Sequence, residues 1–382
     1  MTLVLMNLWK TRHFGCLSIT ICFFIIYFVS SSHYERNNSI TFDKLQYCST
    51  ENKKIFFLKT YKTGSSTISC ILGHYALKNN KYVGMPHLEK RNYGKYKLPN
   101  FNPLKPFQQN EIDNPLNNSI EFILHHSVVN FSEINSVIAK SSCSMYMTIL
   151  RSIPSVFISR MNFFNWPVIL DLHGNDTENA IHILENFEKF KPVIAQHKMG
   201  HVQLGNWYYQ QLTGNISVNY ETISSVLTSA SKMFDLVLIS EYFDEGMVLL
   251  YQTANLSIDD VTYIPQRVAR KDSRSLYPEK YLKLVNKHLK ADLLIYNYFK
   301  LKFEKIVSAY GERKLAKEVY RFRNYNTRKS LLCKASKCTT NCSIEMKEFC
   351  ENMHNGVYSI FNKLINKQKI ADGLWEHEER LV

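Results

Sequence analysis

The sequence predicts an α/β fold in which a central parallel sheet is flanked by helices. Two observations carry this expectation: short unbroken apolar runs of strand length, and helical spacing after them. Composition agrees. The 382 residues are 45% hydrophobic and 13% aromatic, with no internal repeat or biased tract, so one or two domains can enclose a sizeable core.

The first 32 residues contain no acidic side chain and carry a nearly unbroken apolar run from Phe14 to Val29, preceded by Lys10, Arg12 and His13. Roughly 20 apolar residues span a bilayer, a length this run reaches with its Ser30 to Ser32 flank, so a cleaved signal peptide is the rival reading. Bulky Phe23, Phe24, Tyr27 and Phe28 occupy the place of a small-residue cleavage site and favour an uncleaved anchor over 14–32. Basic residues before the run put 1–13 in the cytoplasm and the remainder in the lumen. Residues 33–50 are polar and read as a stem.

The first strand is expected at Lys54 to Lys59, where Ile55, Phe56, Phe57 and Leu58 form the run of a strand buried on both faces. Helical spacing follows from Ser66 to Leu77, with Ile68, Ile71, Leu72 and Tyr75 on one side. Residues 82–118 hold five prolines and little periodicity and read as a long insertion, a class of segment more often functional than idle. Further strands are expected at Glu121 to His125, Met145 to Leu150 and Leu236 to Ser240, the last before a helix from Tyr242 to Thr253. Residues 279–318 read as helical with lysines on the polar side. The main domain is expected over 51–325, with 326–382 as a separate cysteine-bearing extension.

Seven Asn-x-Ser/Thr sequons, at Asn37, Asn117, Asn130, Asn175, Asn215, Asn255 and Asn341, fit a secretory location. Cys16 and Cys22 lie in the apolar run, which leaves Cys48, Cys70, Cys143, Cys333, Cys338, Cys342 and Cys350 facing an oxidising lumen. An odd number leaves at least one thiol free or paired between chains, which keeps a homodimer open. The spacings from Cys333 to Cys350 match no common zinc motif, so disulfides are expected there and no metal. The formal charge of +14 favours an anionic partner. A lumenal anchor argues against nucleic acid.

The most informative segment is KTYKTGSST at 59–67, between the first strand and its helix. A strand, a loop rich in Gly, Ser and Thr, and a helix N-terminus provide backbone N–H groups and a positive dipole end that hold phosphate. A merely capped helix would explain the hydroxyls but not two loop lysines. It is not a Walker A loop: Lys62 precedes Gly64, and the position before the magnesium-binding hydroxyl holds no lysine. A nucleotide kinase or ATPase is thereby disfavoured.

Taken with HH at 125–126, TILRSIPSVFISRMNFF at 148–164, FDLVLISEYFDEGMVLL at 234–250 and ARKDS at 269–273, the segment FFLKTYKTGSST at 56–67 resembles the Golgi galactose-3-O-sulfotransferase family, which includes the galactosylceramide sulfotransferases. The resemblance covers roughly residues 54–320 in order. It implies a P-loop-like sulfotransferase fold, 3′-phosphoadenosine 5′-phosphosulfate (PAPS) as co-substrate, and a galactose-terminated glycolipid or glycan as acceptor. Lys62 would contact the oxygen bridging phosphate and sulfate. Thr63, Gly64, Ser65, Ser66 and Thr67 would cradle the 5′-phosphate, and Lys59 would add positive field. Arg151 and Ser159 match the family's 3′-phosphate pair, Arg151 at a strand end and Ser159 on the next helix, where Pro154 suits the first turn.

His126 falls at the C-terminal end of the strand expected over 121–125, the edge where open parallel sheets bind ligands, and it matches the family's catalytic histidine. Strand alternation sends His125 to the opposite face, so only one of the two can serve as base. Tyr61 stands where the family often has histidine, Val128 and Val129 replace a more polar sequence, and Ser152-Ile153 stands where Asp-Pro is common. The first two changes border the acceptor side. A catalytically inactive carbohydrate binder on the same fold is the rival reading. His74, His87 and His173 read as structural.

Overall fold

The computed structural model describes residues 45–87, 101–102, 105–114, 117–196, 204–264, 277–334 and 342–371. The anchor expected over 14–32 lies outside them; among the described residues no helix is long and apolar enough to cross a membrane. The stem expected over 33–50 is shorter than that: Leu45 is buried, its N–H donates to Thr253 O at 3.1 Å, and Cys48 is disulfide-bonded to Cys143.

Four parallel strands form the central sheet. They are β1 (Lys54–Leu58), β4 (Phe122–Ile123), β5 (Ser144–Leu150) and β6 (Leu236–Ile239), in spatial order β4-β1-β5-β6, while β2 (Met85–Pro86) and β3 (Ile112–Asp113) pair antiparallel within the insertion. Every residue of β4, β5 and β6 is buried, as continuous apolar runs require when both sheet faces are covered. β4 is shorter than expected because it lies at the edge and leaves the ladder early: Leu124 O accepts the Ser69 hydroxyl at 3.1 Å instead of continuing the pairing.

Helices α1 (Ser65–Lys78) and α2 (Phe131–Val137) follow β1 and β4, and α3 (Ile153–Phe163) follows β5 with Pro154 in its first turn. A helical excursion follows, comprising α4 (Trp166–Ile169), α5 (Asp176–Glu185), α6 (Phe187–Gln196), α7 (Trp207–Thr213) and α8 (Ile223–Met233), before β6 and α9 (Phe243–Thr253). Asn175 caps α5 by accepting the N–H groups of Thr177 and Glu178, both at 3.0 Å.

The helical stretch expected over 279–318 is three helices: α10 (Glu279–His288), α11 (Lys290–Tyr310) and α12 (Glu312–Lys334). Gly311, at φ 93°, separates the last two. The boundary expected at 326 falls inside α12, where Asn326 is buried and accepts Tyr263 N–H at 2.8 Å. The last element, α13 (Ile344–Ala371), is kinked at Gly356 and packs along α1. Gly73 permits that approach, since a Cβ there would lie 2.8 Å from Ile360 Cγ2. Asn352 meets His74 at 3.2 Å, and Lys367 donates to Leu77 O at 3.0 Å. The C-terminal segment is therefore part of the main body, covering the helix that follows β1.

Candidate active site

Leaving β1, the chain turns through Lys59 to Gly64 before α1. Thr60 organises the turn: its hydroxyl donates to Ile149 O, its Oγ1 meets Thr63 Oγ1 at 2.7 Å, and its carbonyl accepts the Ser65 hydroxyl. Thr63 and Ser65 are buried, so their hydroxyls hold the loop together and leave only their backbone N–H groups for a phosphate. Gly64 and Ser66 are exposed and Thr67 is half-buried. Lys62 and Gly64 both adopt positive φ, 62° and 85°. For lysine this is uncommon, and the loop's internal hydrogen bonds maintain it. Gly64 is required twice over, by its φ and because a Cβ would sit 3.2 Å from the Phe243 ring. The Lys62 ammonium lies over the Phe163 ring, 4.1 Å from its centre. Lys59 differs from its neighbours: it is buried, and desolvation pulls its ammonium down to about 8, against the influence of Cys70.

Strand order gives this loop its partner. The connection after β1 leads toward β4 and the one after β5 toward β6, so the sheet's topological switch point falls between β1 and β5. Arg151, just past β5, crosses it: Nη1 donates to Lys62 O at 3.2 Å. Glu241 fixes the following turn by accepting Ser152 N–H at 2.8 Å. Ser159 lies half-buried on α3.

His126 lies just beyond β4, and its Nδ1 is 2.8 Å from Lys59 O. A carbonyl can only accept, so Nδ1 carries the proton and Nε2 the lone pair of the neutral ring, the tautomer a general base needs. Tyr61 stacks on the imidazole, with centroids 3.8 Å apart and planes 12° apart. His125 points elsewhere, its ring 4.3 Å from Phe361 of α13 and its Nε2 3.1 Å from Met85 Sδ. The expected opposition of the two histidines therefore holds, although β4 itself ends earlier.

Three expected groups thus come together: the loop over 59–67, Arg151 and His126. ARKDS at 269–273 lies outside the described residues. Sequence reasoning missed α7. Trp207 packs edge-on to Tyr61 at 5.2 Å, Tyr208 hydrogen-bonds the backbone of Arg151, and Gln211 Nε2 donates to Lys59 O at 3.2 Å. It also missed buried Asp292, which accepts Tyr209 N–H at 2.9 Å while Asn206 of the α7 N-terminus accepts Asp292 N–H at 3.0 Å. Burial pushes the Asp292 carboxyl up to about 6 and pulls the buried Arg160 guanidinium, stacked over Trp207 at 4.7 Å, down to about 10. Asn206 before the helix and Gly214 after it could have signalled α7, but not its contacts.

A sequence model of galactose-3-O-sulfotransferases matches residues 10–349. The chain belongs to the galactose-3-O-sulfotransferase family. It is 25% identical over 299 residues to galactose-3-O-sulfotransferase 2 of Mus musculus, covering 76% of this chain and 72% of that protein. Over 285 residues it is 25% identical to the galactosylceramide sulfotransferase of Homo sapiens, covering 74% of this chain and 64% of that one. Galactose-3-O-sulfotransferase 3 of Mus musculus is 23% identical over 281 residues, 72% of this chain and 62% of its own length. No solved structure matches the chain. In this family member the loop over 59–67 and Arg151 lie together at the ends of β1 and β5. Most of α13 lies beyond the family match.

Proposed function

We propose that the protein is a Golgi enzyme that moves the sulfuryl group of PAPS to the 3-hydroxyl of galactose on a glycolipid or glycoprotein glycan. The observation that carries this reading is the Lys59 carbonyl, which ties the phosphate loop to His126 in the tautomer of a general base. Lys62 and the backbone N–H groups from Gly64 to Ser66 would neutralise charge growing on the bridging and phosphate oxygens, with the Thr67 N–H already given to Gly64 O at 3.0 Å, and Arg151 with Ser159 would hold the 3′-phosphate. The galactose oxygen forms the new O–S bond as the bridging S–O bond breaks. His126 Nε2 takes the hydroxyl proton, and adenosine 3′,5′-bisphosphate leaves.

A single-pass type II topology, with residues 14–32 as the anchor and the catalytic body in the lumen, completes the proposal. Disulfides Cys48–Cys143 and Cys333–Cys350 and the exposed sequons at Asn117, Asn175, Asn215 and Asn255 support it. Among the described residues Cys70 is a free, buried thiol.

The test is transfer of radiolabelled sulfate from PAPS to galactose-terminated lipids, oligosaccharides and glycosaminoglycans. Label on a galactose 3-hydroxyl is expected. Tight PAPS binding with no transfer to any acceptor would favour the non-catalytic carbohydrate binder. Glycosidase treatment of membrane-extracted protein should increase its gel mobility; a soluble, glycosidase-insensitive protein would overturn the topology.

A further inference from the structure

Helix α7 reaches all three segments of the site, and Trp207, Tyr208, Tyr209, Gln210 and Gln211 on it are all buried. We propose that Tyr208 and Gln211 are positioning residues with separable tasks: Tyr208 sets the Arg151 arm, and Gln211 sets His126 through the Lys59 carbonyl. This rests on the PAPS reading above.

The Tyr208 hydroxyl accepts Arg151 N–H at 2.9 Å and donates to Arg151 O at 3.0 Å. One hydroxyl thus bonds both backbone polar groups of a single residue. Neither peptide plane flanking Arg151 can rotate without breaking one of these bonds, so the root of the guanidinium arm is fixed where β5 ends. Gln211 works at the other strand. Its Nε2 donates at 3.2 Å to Lys59 O, the same oxygen that His126 Nδ1 uses at 2.8 Å. A second contact reaches Ser127 O at 3.5 Å, and the Gln211 carbonyl accepts Val129 N–H at 2.7 Å, so α7 holds the backbone just after His126.

The two side chains lie three positions apart and share a helix face. Neither is needed to hold the helix. The N-terminus of α7 is fixed by the reciprocal bonds of Asp292 and Asn206, and its C-terminus by Gly214 at φ 75°. A side-chain change at 208 or 211 should therefore leave α7 in place while releasing one segment of the site.

The experiment uses the full-length protein and its Tyr208→Phe and Gln211→Met variants. Calorimetry reads affinity for adenosine 3′,5′-bisphosphate and for adenosine 5′-phosphate, and sulfate transfer reads kcat against pH. Tyr208→Phe should weaken the bisphosphate about tenfold, leave the monophosphate within about twofold, and leave the shape of the pH profile unchanged. Gln211→Met should leave both affinities unchanged and lower kcat about tenfold. It should also move the acid limb to higher pH, because a carbonyl relieved of one donor accepts more strongly from Nδ1–H and favours the imidazolium. Parallel losses of both nucleotides and of kcat in both variants, or loss of the folded circular-dichroism signal in either, would reduce α7 to general support and overturn the proposal. A wild type that binds the bisphosphate no better than the monophosphate would instead remove the PAPS reading, and the proposal with it.

Discussion

The loop after β1 and helix α7 meet at the Lys59 carbonyl but are built in opposite ways. The loop is short and strained, with Lys62 and Gly64 at positive φ and with Gly64 and Ser66 exposed. Helix α7 is unstrained and buried, and its side chains end on backbone atoms of other segments. One leaves residues exposed to solvent; the other turns its side chains inward to the backbone around the first. Such a division separates the energy of binding from the energy of positioning, because strain at a ligand-facing loop persists only where its surroundings over-determine it. Substitutions in the two regions should therefore fail in different ways.

The largest effect belongs to the ligand-facing side. His126→Ala should cut turnover by roughly two to four orders of magnitude while nucleotide affinity stays near that of the wild type. His125→Ala, which loses packing against Phe361, should lower thermal stability and leave turnover much closer to normal. Equal loss of turnover in both variants, measured by sulfate transfer, would break the distinction between the two faces of this strand.

Arg151→Ala comes next, with about a hundredfold loss of affinity for adenosine 3′,5′-bisphosphate and a far smaller loss for the 5′-monophosphate, since a guanidinium–phosphate contact is charge-assisted. Comparable calorimetric losses for both nucleotides would show that Arg151 does not read the 3′-phosphate.

On the positioning side, Asp292→Asn keeps an acceptor for Tyr209 N–H but removes a carboxyl that burial pushes up to about 6 from an ordinary 3.8. The folded protein holds this proton more tightly than the unfolded chain. The resulting stabilisation is complete below about pH 4 and is lost as pH rises through about 6. Thermal unfolding across that window should shift in favour of the variant as pH rises, by on the order of 2–3 kcal/mol. A constant difference between the two proteins would mean that Asp292 does not titrate there. The smallest effect is expected at Gly73→Ala, where the new methyl meets Ile360 and should cost ~1–3 kcal/mol in denaturant unfolding with nucleotide affinity little changed.

The strands and the loop after β1 were legible in the sequence because their signals are local. Ile55 to Leu58, Met145 to Leu150 and Leu236 to Ile239 are buried runs, and Lys62, Gly64 and Ser66 cluster between a strand and a helix. The expected strand at 121–125 shortened because an edge strand pairs on one side only and its carbonyls can turn to α1. Only the folded loop reveals that Thr60 engages the hydroxyls of Thr63 and Ser65. The positioning half was not legible. Tyr208 acts on a backbone 57 residues away, Asp292 caps a helix 83 residues away, and Gln211 reaches across 152 residues to Lys59. No window of spacing or propensity contains such pairs, and the break at Gly311 gives no sign that α12 will carry on past 326.

The packing of α13 on α1 also sets an order of assembly. Lys367 and Leu77 are separated by 290 positions, so the helix behind the phosphate loop is synthesised long before the segment that covers Gly73. While the ribosome is still working, the apolar flank that α1 will bury under Ile360 stays open to solvent and to other nascent chains. Closure of the Cys333–Cys350 bridge, which spans only 17 positions, can follow once Cys350 emerges and hold α13 near its seat. The surroundings of the loop after β1 are thus finished by a segment 290 positions downstream, and a chain lacking that segment would carry the whole loop sequence on a helix with one side uncovered.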